Sequence, residues 1–266
     1  MSSLTTDQGS VHYEVYGRGK PVIFLHGWLG SWGLWQQTML DLGSSYRLYA
    51  LDFWGFGESG KKRVTYDVQD FVSLVDQFME QLGIESAPLV GHSMGGTVSL
   101  SVAIRYPKRV SKVAVAGSPI AGSSLAPLLK LAGNRPIAFV LFNFMGLFRA
   151  WMKYFYARQI CKDPRFPEMM DRDLSKTTLE SFLLSIASLR RTDLRPHLHQ
   201  VCVPVLGMYG DKDRVVHPLQ WQPLEQGARR AQIARFPTAG HFMMLENPIE
   251  FSQILKKFLD ESQPTP

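Results

Sequence analysis

Short apolar runs alternate with longer stretches of helical period along most of the chain, the pattern of an α/β domain. Strands are expected up to about Leu25 (Val22-Ile23-Phe24-Leu25 being the last) and over residues 46–53, 87–91, 111–116, 203–210 and 231–236. Between them, residues 65–82 set Val68, Phe71, Val72, Val75, Phe78, Met79 and Leu82 on one helical face, with Thr65 or Asp67 as the cap. Residues 97–106 read as a second helix that closes at Pro107, and Asn247-Pro248 opens another near the end of the chain. From about Gly122 to Gln200 strand alternation disappears and only helices and loops are expected. The domain therefore divides into a first core part (1–121), an insertion (122–200) and a second core part (201–266).

One strand-to-helix passage carries chemistry. Leu89-Val90-Gly91-His92-Ser93-Met94-Gly95-Gly96 is a G-x-S-x-G turn, in which a serine on a sharp, strained reversal is held at the carboxyl edge of a sheet. Gly91 and Gly95 stand where strand and helix nearly touch and a side chain would not fit. A serine hydroxyl needs a base to attack a carbonyl. Of the seven histidines, only His241 lies in a loop, residues 237–242, between a strand-like run, 231–236, and a helix opened by Asn247-Pro248. In a parallel sheet its loop emerges on the same edge as Ser93. The orienting acid is expected in the loop after residues 203–210, where Asp211 and Asp213 are the two candidates. The order serine, aspartate, histidine differs from the chymotrypsin and subtilisin orders. The backbone N–H of Met94, next to the nucleophile, is the first expected oxyanion donor, and the second should come from the loop after Leu25.

Four motifs in sequence carry a resemblance: His26-Gly27-Trp28, Asp52-Phe53-Trp54-Gly55-Phe56-Gly57-Glu58-Ser59, Gly91-His92-Ser93-Met94-Gly95-Gly96, and Gly210-Asp211-Lys212-Asp213 with Gly240-His241. From about Val11 to Leu259 the chain resembles the α/β-hydrolase superfamily, in particular lid-bearing serine esterases of the carboxylesterase and pimeloyl-carrier-protein methyl ester esterase group. The resemblance implies a mostly parallel eight-stranded sheet flanked by helices, with residues 122–200 as an inserted helical lid. It also implies Asp213 as the acid, leaving Asp211 at a turn or strand end, and the Trp28 amide as second oxyanion donor. The implied activity is that of a serine carboxylesterase working through an acyl-enzyme on Ser93, Asp213 and His241. The same triad also serves carrier-linked esterases and thioesterases, C–C bond hydrolases, a menaquinone-pathway lyase and slow-turnover ligand receptors. A serine at the elbow argues against haloalkane dehalogenases and epoxide hydrolases, whose nucleophile there is aspartate.

No cofactor or metal is expected. Gly55-Phe56-Gly57-Glu58-Ser59-Gly60 spells G-x-G-x-x-G, but Lys61-Lys62-Arg63 and a β-branched pair intervene before any helix, so it reads as a turn and not as a dinucleotide site. His92 is expected to pack beneath the nucleophile and His26 to shape the loop before the oxyanion donor. His12 on a strand and His197, His199 and His217 in loops read as structural or solvated, and no pair of histidines has zinc-ligand spacing.

The 266 residues, 45% of them hydrophobic, suit one large α/β core. Two cysteines, Cys161 and Cys202, make no disulfide framework, and the N-terminal stretch lacks the basic and apolar regions of a secretory signal, so a cytoplasmic setting is expected. The formal charge of +6 lies wholly in the insertion, which holds 12 Lys+Arg against 6 Asp+Glu while the remainder balances. That surplus fits either a solvated face or attraction of an anionic or acyl-carrier-linked substrate, with Arg190, Arg191 and Arg195 at the pocket mouth. No nucleic-acid motif accompanies it. The aromatic run from Pro136 to Phe148, continued by Trp151, Tyr154, Phe155 and Tyr156, is too short to span a bilayer. Most of it is expected to pack on the core, with some residues lining an apolar acyl pocket above Ser93.

Overall fold

A computed structural model describes residues 2–6, 9–61 and 65–261. Residues 62–64, part of the stretch expected to separate the glycine turn from the next helix, lie outside the described residues, as do 1, 7 and 8 of the N-terminal stretch and the C-terminal 262–266. Eight strands, β1 (Ser2–Thr6), β2 (Gly9–Gly17), β3 (Lys20–Leu25), β4 (Tyr46–Leu51), β5 (Ala87–His92), β6 (Val110–Ala116), β7 (Val205–Gly210) and β8 (Ala231–Phe236), form one sheet in the order β1-β2-β4-β3-β5-β6-β7-β8. β1 and β2 are antiparallel to their neighbours, and every pairing from β4–β3 to β7–β8 is parallel. The carboxyl ends of β3, β5, β6, β7 and β8 therefore share one edge.

The parallel strands read as unbroken apolar runs because both faces of the sheet are covered. Successive side chains of β3 go to opposite sides: Ile23 and Leu25 join the cluster with Phe71, Val75 and Val98, whereas Val22 and Phe24 join Trp35, Met39, Phe251 and Leu255. The helix expected over 65–82 spans Val68–Gln81. Its cap is Asp67 and not Thr65, because Asp67 forms a capping box with Asp70, whose carboxylate accepts the Asp67 N–H at 2.8 Å. β7 starts two residues later than the apolar pattern suggests: Pro204 has no N–H for the ladder, although its carbonyl accepts the Val113 N–H at 3.0 Å. The helix after the elbow begins at Met94, three residues early, since the reversal at Ser93 feeds directly into its first turn.

The segment between β6 and β7 contains the helices Pro127–Ala132, Arg135–Asn143, Met145–Trp151, Phe166–Ser175 and Leu179–Arg191 among its elements. Isolated bridges Ala121↔Asp193 and Leu125↔Val216 tie it to the core. Two expectations fail there. Phe142 and Phe148 do pack against Phe182, but Phe139, Phe144 and Phe155 are 60%, 61% and 63% exposed, because these short helices turn one face to the core and the chain is apolar on both. The arginines, too, stand elsewhere than expected. Arg190 donates to the Lys130 carbonyl at 2.6 Å, Arg191 faces Asp67 at 3.6 Å, and Arg195 forks onto Asp193, so none of them lines the cavities beside Ser93. His197 and His199 sit in a short 3-10 helix, Arg195–Gln200, and not in a loop. No helix of the described residues is long and apolar enough to cross a membrane.

Candidate active site

Ser93 sits between the end of β5 and the helix Met94–Arg105 with φ 51° and ψ −117°, a conformation that non-glycine residues rarely adopt. The strain is enforced by close packing around it. A Cβ on Gly91 would lie 2.3 Å from the backbone carbonyl of Gly95, and one on Gly95 would lie 2.3 Å from the Leu25 oxygen. Ser93 N–H donates to the Ala116 carbonyl at 2.9 Å, and the Ser93 carbonyl accepts from Gly96 and Thr97 at 3.0 and 3.2 Å. The elbow is thus tied to β6 on one side and to its own helix on the other. Met94 is the first residue of that helix, where the helix itself provides no partner for the N–H.

His241 follows β8 and Asp213 follows β7, so the parallel topology brings both to the edge that carries Ser93. Nδ1–H of His241 donates to Asp213 Oδ2 at 2.7 Å, and both side chains are buried. Asp213 Oδ1 accepts the N–H groups of Val215 and Val216 at 2.8 and 2.9 Å, which fixes the carboxylate in place. With Nδ1 engaged, the free lone pair of a neutral imidazole is on Nε2. Asp211 turns away to a two-point pair with Arg235 of β8, at 3.0 and 2.8 Å.

Ser93 and His241 line a common cavity of about 80 Å³, together with Gly27, Trp28, Leu29 and Asp173. The loop after β3 approaches the nucleophile closely: a Cβ on Gly27 would stand 3.1 Å from Ser93 Cβ. Trp28 follows it, with its indole N–H donating to the Phe182 carbonyl at 3.1 Å. Leu29, at φ 60°, is the other described non-glycine residue in the left-handed region, in a turn closed by Gly30 N–H to the Gly27 carbonyl at 3.0 Å. A second cavity of about 480 Å³ adjoins the first through Trp28, Leu29, Leu129, Met152 and Tyr156, and no charged residue lines it.

The neighbouring polar groups hold these loops. His26 accepts the Phe53 N–H on Nε2 at 2.9 Å and donates from Nδ1 to the Gly27 carbonyl at 2.7 Å, which shapes the loop as expected. Burial lowers its pKa to about 4, so the ring is neutral at neutral pH. His92 packs against the His241 ring and donates from Nε2 to the His241 carbonyl at 3.1 Å; burial, then the nearby His241 charge, holds it well below the usual imidazole range. Asp52 ties two loops by accepting the Trp32 N–H at 2.7 Å and the Glu58 N–H at 2.9 Å, while burial outweighs those bonds and pushes its carboxyl up to about 7.

Sequence reasoning missed Asp173. It comes from the helix Phe166–Ser175 between β6 and β7, accepts from Ser31 Oγ and Arg172 Nε at 3.0 Å each, and is raised in pKa by burial. Its signal was an acid on the same helical face as Met170 and Leu174. The Gly55–Gly60 stretch is a turn closed by Gly55 N–H to the Gly60 carbonyl at 2.8 Å, and the next described helix begins only at Val68. Among the described residues no cluster of three or more His, Cys, Asp or Glu is arranged to hold a metal ion.

An eight-stranded sheet with one antiparallel edge, and a strained serine beside a buried aspartate–histidine pair, define a hydrolase architecture. Residues 20–248 match the model of the alpha/beta hydrolase fold family, and the chain belongs to that family. It is 28% identical over 217 residues, 78% of this chain and 82% of the relative, to a pimeloyl-[acyl-carrier protein] methyl ester esterase of Vibrio campbellii. It is 29% identical to a 2-hydroxy-6-oxo-6-phenylhexa-2,4-dienoate hydrolase of Comamonas testosteroni, covering 94% of this chain and 91% of that protein. Among solved structures, a hydrolase from Pseudomonas aeruginosa superposes with a TM-score of 0.84 at 21% identity, covering 98% of each chain, and shares the fold.

Proposed function

We propose that the chain hydrolyses carboxylic esters through an acyl-enzyme on Ser93. The observation that carries this reading is the strained Ser93 opening into the cavity that His241, paired with the buried Asp213, also lines. Ser93 Oγ attacks the ester carbonyl carbon and His241 Nε2 takes the hydroxyl proton. The negative charge that develops on the carbonyl oxygen is held by the backbone N–H groups of Met94 and Trp28. Collapse breaks the carbon–oxygen bond, and the leaving alcohol receives the proton from His241. Water then attacks the acyl-enzyme, gives its proton to His241 and releases the acid, and Ser93 recovers its hydrogen. Asp213 holds the imidazole tautomer and stabilises the imidazolium. The helical segment 122–200 acts as a lid whose apolar cavity seats the acyl part. The uncharged wall of the larger cavity supports an ester with an apolar acyl part, and the Vibrio relative is named as a methyl ester esterase of a carrier-linked acyl group.

The test is labelling by a fluorophosphonate and turnover of p-nitrophenyl esters. Ser93→Ala removes both, and His241→Ala lowers turnover by about 10⁴-fold or more. Labelling that persists in Ser93→Ala places the nucleophile elsewhere, and a stoichiometric burst without turnover in the unmodified protein makes it a receptor.

A further inference from the structure

We propose that the outer face of the helices between Pro127 and Tyr156 docks on an anionic lipid bilayer and takes acyl chains from it. Leu131, Phe139, Val140, Phe144, Leu147 and Phe155 are each more than half exposed, Leu147 reaching 73%. Four of them, Leu131, Val140, Phe144 and Leu147, line one cavity, so they ring a single opening instead of scattering over the surface. Exposed apolar groups gathered in this way mark a contact surface. The helices that carry them are too short to cross a membrane, but helices with an apolar outer face lie in the plane of the lipid–water interface.

Charge selects the occupant. Residues 122–162 contain Lys130, Arg135, Arg149, Lys153, Arg158 and Lys162 and no acidic residue, while the rest of the chain holds 23 Lys+Arg (29 − 6) against 23 Asp+Glu. The whole net charge of +6 thus sits on the segment that displays the apolar face. Arg149 and Lys153 pair with Asp171 and Glu168, and no ion pair among the described residues engages Lys130, Arg135 or Arg158. A second copy of the chain would bring like charges together on this face. An anionic bilayer offers hydrocarbon for the side chains and phosphate for the cations at once. The opening continues through Trp28, Leu29 and Met152 to the Ser93 cavity, so an acyl chain entering from the bilayer meets no charged wall on its way. The substrate class implied, an amphiphilic ester held at a lipid surface, rests on the ester-hydrolase reading; the docking itself does not.

Sedimentation with phosphatidylcholine vesicles, with and without about one-third phosphatidylglycerol, tests the proposal. The protein should partition at least about tenfold more strongly onto the anionic vesicles, less so at high salt. Phe139→Glu with Phe155→Glu, at two exposed residues that line neither cavity, should abolish vesicle binding and leave turnover of a short water-soluble ester unchanged. Arg135→Gln with Arg158→Gln should remove the preference for anionic vesicles. Ser93→Ala should bind vesicles as the unmodified protein does, which separates failure of docking from failure of the catalytic reading. The proposal is overturned if the unmodified protein stays in the supernatant, or if the double glutamate variant binds equally well. It is also overturned if the face instead makes a stable dimer or binds a purified acidic acyl-carrier protein while vesicles are ignored.

Discussion

Replacing Gly91 by alanine tests whether the elbow is as tight as its geometry requires. The added Cβ would meet the carbonyl carbon and oxygen of Gly95 at 2.3 Å and the nitrogen of Gly96 at 2.4 Å, where real Cβ contacts essentially never fall below 3.0 Å. All three atoms are backbone, so no side chain can swing aside. The helix Met94–Arg105 would have to retreat from β5 by at least 0.7 Å (3.0 − 2.3), carrying Ser93 and the Met94 N–H with it. Overpacking of this kind costs about 1–3 kcal/mol, and unyielding neighbours place this case at the upper end. For a chain of this size that lowers the melting temperature by about 6–12 °C. A displacement near 1 Å at the nucleophile costs about 10²-fold in turnover. Gly146→Ala is the control: nothing lies within 4 Å of its added Cβ, and it stands in the helix Met145–Trp151, so alanine should stabilise by about 0.5–1 kcal/mol. Thermal melts and kcat/KM on a p-nitrophenyl ester measure both variants. A Gly91→Ala protein that melts within about 1 °C of the parent and keeps its kcat/KM would refute the steric account.

Asp213→Asn should lose about 10⁴-fold in kcat because the imidazole loses its orienting charge. Asp211→Asn, which breaks only the half-exposed pair with Arg235, should cost about 0.2–1 kcal/mol of stability and little turnover; the reverse ranking would reassign the acid. Asp52 titrates at about 7 in the folded chain against an ordinary 3.8, so between those values the folded state holds the proton more tightly than the unfolded state does. Its contribution to stability is therefore fullest at the acid end, falls as pH rises through that window and levels off above it. Urea midpoints of the parent should converge toward those of Asp52→Asn over the same range, and a constant difference would show that Asp52 stays ionised. Arg190→Gln with Arg191→Gln should lower kcat/KM for neutral and anionic esters alike, because Arg190 joins the helix Leu179–Arg191 to the Lys130 carbonyl. A loss confined to anionic esters would make these arginines substrate guides.

The features legible in the sequence are those set within a few residues. Unbroken apolar runs gave β3, β5, β6 and β7, because a doubly covered parallel strand needs no polar face, and the glycines around Ser93 announced a reversal that only small residues permit. Period and spacing likewise placed His241 and an aspartate on loops at the sheet edge. Between Asp211 and Asp213 the residues themselves left the choice open. The fold separates them: Asp213 turns to His241 and to the amides of Val215 and Val216, while Asp211 reaches across to Arg235. Asp173 enters the Ser93 cavity from a helix 80 positions beyond the elbow (173 − 93), and no local pattern links the two. The aromatic run of the helices between β6 and β7 was plain in composition, yet whether Phe139, Phe144 and Phe155 face core or solvent depends on which side of each short helix its neighbours cover. Local backbone preference and hydrophobic period act along the chain and can be read from it. Burial, ion pairing and the joining of cavities depend on surfaces contributed by distant segments, so they exist only once the tertiary structure has brought those segments together.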